Sequence, residues 1–169
     1  MTAIGSHHQP IRGRTDDWLT PPWLIEGLGP FDTDPCGCTE APDSHRCATT
    51  VYTLPQNGLN LPWHGMVWLN PPYGPKAGRW LARLAEHGSG IALIFARTET
   101  AWFNAQVWQK AQALLFIVGR LTFCRPDGTP ASHNSGGPSV LVAYGSEAAQ
   151  RLHNAAYCKL GAFVNVYKG

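Results

Sequence analysis

A chain of 169 residues and 18.4 kDa has room for one domain around one core, and its 44% apolar content is enough to build that core. Charged residues are only 14% of the chain, well below the ~25% of ordinary soluble domains, and the formal net charge of +2 is too small to mark a nucleic-acid binder by itself. The 18 glycines and 14 prolines predict many short, shaped loops, while no apolar run approaches the ~20 residues of a membrane-spanning helix, and repeats, heptads and collagen patterns are excluded.

Residues 1–15 are polar and lack the apolar centre of a signal peptide, so they are expected to be a flexible segment ahead of a single domain over 16–169 in a cytoplasmic protein. Thr20-Pro21-Pro22 reads as a helix start with a capping Thr and a proline in the first turn, followed by Trp23, Leu24, Ile25 and Leu28 and stopped by Gly29-Pro30. A short strand is expected over 31–34, a loop over 36–46 and a minimal strand at 51–52. Residues 66–69 are apolar throughout, as in a strand covered on both faces, and the run stops at Asn70-Pro71-Pro72-Tyr73-Gly74. A helix follows over 75–87, then a strand over 91–95, a helix over 100–112 and a strand over 114–118. Residues 121–123 extend or restart that structure before a polar loop over 125–138. A strand over 140–144, a helix over 147–156 and a strand over 162–167 complete the chain. Strands alternating with helices predict a doubly wound, mainly parallel α/β sheet with helices on both faces. Such sheets bind ligands beyond the carboxyl ends of their strands, where this chain concentrates its polar motifs.

Five cysteines, Cys36, Cys38, Cys47, Cys124 and Cys158, are expected to be reduced thiols. Charge is unevenly spread. Lys76, Arg79, Arg83, Arg97, Lys110, Arg120 and Arg125 face only Glu86 and Glu99 in the middle of the chain, whereas the first fifty residues are net acidic. One part of the chain thus suits phosphates and another suits a cationic or hydroxyl-bearing group.

Asn70-Pro71-Pro72-Tyr73 carries the chemistry. An amino group on a planar ring is a poor nucleophile because its lone pair is delocalised. An Asn side-chain oxygen and a backbone carbonyl that accept its two N–H bonds favour a pyramidal nitrogen with a free lone pair. Two prolines hold such a turn rigid, so the acceptors need little reorganisation. The Tyr ring offers a stacking surface for a base, which in a duplex reaches the pocket only by leaving its stack.

Together with Trp18-Leu19-Thr20-Pro21-Pro22, Asp34-Pro35-Cys36, Asn57-Gly58-Leu59, Ala96-Arg97-Thr98-Glu99-Thr100, Gly119-Arg120-Leu121-Thr122-Phe123 and Pro138-Ser139-Val140, this motif resembles the compact phage-type DNA N6-adenine methyltransferases over nearly the whole chain. The resemblance implies a Rossmann-like fold with an antiparallel last strand and no separate target-recognition domain, in a bacteriophage or prophage protein of a bacterial host cell. It also implies methyl transfer from S-adenosylmethionine to adenine in DNA, single- or double-stranded, with a homodimer as one form of the protein. By it, Asn70, Pro71, Pro72 and Tyr73 are catalytic. Asp34-Pro35-Cys36 holds the cofactor at the end of the first strand, with Asp34 on the methionine ammonium. Trp18, Thr20 and Pro21 lie at the methionine end, where a helix start suits the carboxylate, and Asn57 stands where the family has an acid that accepts from the cofactor adenine. No acid for the ribose hydroxyls is identifiable.

Arg97 and Arg120 follow apolar strands and suit phosphate forks, or a structural ion pair with Glu99 in the bland case. Thr98, Arg125, His133 and Asn134 are the other candidates for DNA contact, with Gly136-Gly137 as a hinge for their loop. Trp102 and Phe103 fit the core better than base stacking at their helical spacing. Cys36, Cys38, His45 and Cys47 lie within a dozen residues, which leaves open a zinc-supported, non-catalytic DNA-binding module. RNA adenine and the protein glutamine amide are alternative amino substrates.

Overall fold

The computed structural model describes residues 18–74 and 76–166; the expected flexible segment at 1–15, the helix-opening Pro75 and the strand-ending Tyr167 lie outside the described residues. In chain order the elements are α1 (Pro22–Leu28), β1 (Thr33–Asp34), β2 (Thr50–Val51), β3 (Val67–Leu69), α2 (Ala77–His87), β4 (Gly90–Phe95), α3 (Ala101–Phe103), β5 (Ala113–Ile117), β6 (Ser139–Tyr144), α4 (Ser146–Tyr157) and β7 (Gly161–Asn165).

Among the described residues the strands form one sheet in the order β2-β1-β3-β4-β6-β5-β7. β1 pairs in parallel with β2 and β3, and β3 with β4. β6 inserts antiparallel between β4 and β5, and β7 closes the sheet antiparallel to β5. The last strand is thus antiparallel, as expected, and five strands run one way. The insertion of β6 makes half of the pairings antiparallel, more than strand–helix alternation foretold.

Alternation within each strand divides the core into two layers. Trp68, Ile91, Leu93, Leu115 and Leu141 meet Leu24 and Leu28 of α1 and Ala148, Leu152 and Ala155 of α4. Val67, Leu69, Ala92, Ile94, Val140 and Val142 meet Trp80, Leu81 and Leu84 of α2, with Phe103 and Val107 beyond it. The helix expected over 100–112 is short: Thr100 caps α3 through its hydroxyl, and the chain then widens into a π-helical turn over Asn104–Trp108. Phe103 is fully buried and Trp102 packs half-buried beside it, so both belong to the core.

The entry to β3 is fixed by a side chain. The Asp32 carboxylate accepts the Met66 N–H at 2.7 Å, and Gly65 (φ +57°) passes so close that a Cβ there would lie 2.1 Å from that carboxylate. Because the chain leaves β1 for β2 on one side and β3 on the other, the strand order reverses between β1 and β3, where such sheets open a crevice at their carboxyl ends.

Candidate active site

β3 ends at Leu69, and Asn70 is the first residue beyond it. Its Nδ2 donates to the Trp18 carbonyl at 2.9 Å. That bond sets which way the amide points, leaving Oδ1 as the outward acceptor. The Tyr73 hydroxyl stands 3.4 Å from Oδ1, long for an O–H···O bond. The Tyr73 ring stacks on Phe95, with centroids 4.4 Å apart and planes 16° apart, and meets the edge of Phe123 at 6.1 Å. Burial pushes its phenol pKa up, so Tyr73 is a neutral stacking ring.

A cavity of about 350 Å³ lies beyond the ends of β1 and β3 and brings together Trp18, Thr20, Asp34, Cys36 and the whole Asn70-Pro71-Pro72-Tyr73 turn. Asp34 is buried and accepts the Cys36 N–H at 3.0 Å. Burial, offset in part by that bond, pushes its carboxyl pKa up to about 7. Burial first, and then the Asp34 charge, also push the Cys36 and Cys47 thiols up, so neither is a nucleophile. Thr20 is buried and does not cap α1, whose N-cap is Pro21 with no side-chain cap bond. Pro21 and Pro22 have no N–H, and Leu24 N–H already bonds to the Pro21 carbonyl. The helix start therefore offers an anion few backbone donors, contrary to the sequence reading.

A second cavity of about 330 Å³ shares Cys36, Thr53, Leu54 and Pro72 with the first and continues past Pro35 to Asn57 and Trp80. Asn57 Oδ1 accepts the Leu59 N–H at 3.2 Å. Gly58 is required here, because a Cβ would lie 2.1 Å from the Pro35 carbonyl oxygen. Trp63 Nε1 donates to the Gly58 carbonyl at 2.8 Å, and Arg83 donates to the carbonyls of Leu59 and Leu61 while its guanidinium covers the Trp63 ring. These two side chains were missed from sequence. Arg83, one of the seven cations that by sequence suit phosphates, is instead a clamp on the cleft wall.

Arg97, Thr98, Arg120, Arg125, His133 and Asn134 are exposed. Arg97 and Arg120 follow β4 and β5 at the same sheet edge as Asn70. Arg97 bonds to Glu99 at 3.0 Å, both groups exposed, a pair worth little in water. The loop over 125–138 folds back along its own beginning: Ala131 N–H reaches the Phe123 carbonyl and Ser135 N–H the Leu121 carbonyl. Pro126 lines the second cavity. No three His, Cys, Asp or Glu side chains among the described residues converge as metal ligands. Cys47 lies in the core layer of α1 and α4, whereas Cys36 packs against the layer of α2.

A doubly wound sheet with its crevice at the β1/β3 reversal, a buried acid on one strand end and an Asn-Pro-Pro-Tyr turn on the next define a Rossmann-like α/β methyltransferase. The chain matches the DNA N-6-adenine-methyltransferase (Dam) family over residues 8–157 and belongs to it. Its activity is therefore, in general terms, adenine methylation of DNA. Comparison with curated proteins gives no match.

Proposed function

We propose that the chain transfers a methyl group from S-adenosylmethionine to the exocyclic N6 of an adenine flipped out of DNA, with relaxed sequence specificity. The observation that carries this reading is the Asn70 amide, turned by the Trp18 carbonyl so that its oxygen faces the cavity with only the long Tyr73 hydroxyl contact upon it, in the same cavity as the buried Asp34.

S-adenosylmethionine supplies an electrophilic methyl group when bound. Its ammonium fits Asp34, a buried carboxylate that has no cationic partner among the hydrogen bonds and ion pairs of the described residues and whose raised pKa records that want. Its adenosyl end fits the second cavity between Pro35 and Asn57. The carboxylate contact then falls to the Trp23 N–H or the Thr20 hydroxyl, since the two prolines offer none. Asn70 Oδ1 accepts one N–H of the target amino group and a carbonyl of the proline turn accepts the other, which frees the nitrogen lone pair. Formation of the N–C bond would be matched by cleavage of the cofactor's S–CH3 bond, leaving a neutral thioether, and the proton would then pass from the cationic nitrogen to solvent, so no strong base is required.

Relaxed specificity follows from scarcity of readers. Each bidentate base contact is worth ~1–3 kcal/mol of discrimination, and among the described residues the 125–138 loop presents Arg125, His133 and Asn134 for that work. Arg97, Thr98 and Arg120 meet phosphates, which position DNA without reading it. Expression in a host free of adenine methylation, followed by single-molecule sequencing of its DNA, is expected to find N6-methyladenine in very short contexts or nearly any context. Unmodified DNA overturns the activity, and methylation confined to one motif of four or more bases overturns the specificity.

A further inference from the structure

Among the described residues, the Ser139 hydroxyl is the buried side-chain polar atom left without a hydrogen-bond partner. Ser139 is 1% exposed. A buried hydroxyl with no partner costs stability, and natural folds retain few of them without a use. Nearby Ser135 has solved the same problem by donating to the Gly137 carbonyl at 3.0 Å.

The placement of Ser139 tells what that use is. It opens β6 and stands directly opposite Phe95 in the antiparallel ladder, so the two side chains rise from one face of the sheet. It is the face of Leu141 and Ala143, and it carries the Tyr73, Phe95 and Phe123 rings. The chain passes over Phe95 at Gly137, where a Cβ would come within 3.3 Å of the ring. The orphan hydroxyl thus lies beside an aromatic wall whose outer member, Tyr73, adjoins the Asn70 oxygen.

We propose that Ser139 is a specificity-determining residue of the target-base pocket, its hydroxyl donating to an unprotonated ring nitrogen of the flipped adenine once the base has opened the Tyr73–Phe95 stack and slipped between the two rings beside Phe123. This rests on the adenine-transfer reading above. Adenine presents acceptor nitrogens on its ring edge, and the Asn70 side holds only its amino group. A donor on the sheet face completes the hydrogen bonding of the base.

The test uses Ser139→Ala and duplexes with one target adenine, replaced in turn by 1-deaza-, 3-deaza- and 7-deazaadenine. In the wild type, one of the three replacements is expected to lower kcat/KM for methylation about tenfold, the size of one lost hydrogen bond. Ser139→Ala is expected to lower kcat/KM on ordinary adenine by a similar factor and to be indifferent to that same replacement. Its melting temperature should be equal to or above that of the wild type, and its S-adenosylmethionine affinity by calorimetry unchanged. Equal kcat/KM for variant and wild type overturns the proposal, as does a variant that remains sensitive to every replacement. A lowered melting temperature also overturns it, since the hydroxyl is then satisfied in the free protein by water. A wild-type chain that modifies no adenine removes the reading beneath the proposal, an outcome distinct from all of these.

Discussion

The Asn70 side-chain amide is held by the main-chain carbonyl of Trp18, 52 residues earlier, at 2.9 Å. An amide has two nearly isosteric orientations, and only a donor–acceptor partner selects one. Trp18 accepts only, so nitrogen faces it and oxygen faces the cavity. Trp18 thereby sets the polarity of the candidate catalytic group, while its half-buried ring packs against the core.

Asn70→Ala removes the oriented acceptor and leaves the Asp34 side of the cavity intact. Loss of one preorganised hydrogen bond to the reacting group costs ~3–4 kcal/mol of transition-state stabilisation. Single-turnover methyl transfer is expected to slow roughly a hundred- to thousandfold, with S-adenosylmethionine affinity unchanged by calorimetry. A near-normal rate would remove Asn70 from the chemistry.

Substitutions at Tyr73 separate its ring from its hydroxyl. Tyr73→Phe keeps the stack on Phe95 and gives up only a 3.4 Å contact to Asn70, so steady-state turnover should stay within about twofold. Tyr73→Ala removes the stacking face, worth ~1–3 kcal/mol per base, and should appear mainly as a raised KM for DNA.

Asp34 gives the ligand-free protein a distinctive pH dependence. Its folded pKa of about 7 lies above the ordinary 3.8, so between those values the native state keeps a proton that the unfolded state has released. Stability therefore falls as pH rises from about 4 to about 7 and levels off above. Urea midpoints at pH 5 and pH 8 should show this fall in the wild type and lose most of it in Asp34→Asn. A cationic ligand needs the carboxylate, so its affinity rises over the same window and then stays level. In Asp34→Asn the affinity falls and that rise disappears.

Arg120 and Arg97 differ in what they give up to meet a phosphate. Arg97 must leave Glu99, whereas Arg120 has no such partner among the ion pairs of the described residues. Each phosphate contact contributes about one unit to the slope of log affinity against log salt. Arg120→Ala is expected to reduce that slope by about one in fluorescence-anisotropy titrations with short duplexes, and Arg97→Ala by less. Unchanged slopes in both would place the DNA on another face.

Much of this site was legible because its signals are local. The apolar run ending at Leu69 reads as a strand covered on both faces, and the Asn-Pro-Pro-Tyr turn follows at its carboxyl end. The rest depended on distant partners. β6 is buried at every position, so its sequence carries no mark of direction, and its antiparallel insertion between β4 and β5 went unforeseen. Arg83 read as one cation among seven because nothing near it in sequence shows the Leu59 and Leu61 carbonyls that claim its guanidinium. Thr20 reads as a capping residue, but the chain enters α1 one residue later, with Pro21 as the N-cap. Ser139 looked like any serine at a strand start, since being without a partner is a property of surroundings.

The sheet is fastened unequally across its width. β1 and β2 contribute two residues each and β3 three, while β4 to β7 contribute five or six. Short ladders open at lower free energy than long ones, so amide deuteration should proceed fastest around Asp34, Val51 and the turns that line the two cavities, and slowest in β4 and β6. A molecule seated in the crevice closes those openings by mass action. Deuterium uptake at the β1–β2 edge then becomes a gauge of occupancy that requires no turnover, and it will register a ligand in this half of the protein even when the Asn70 chemistry has been removed.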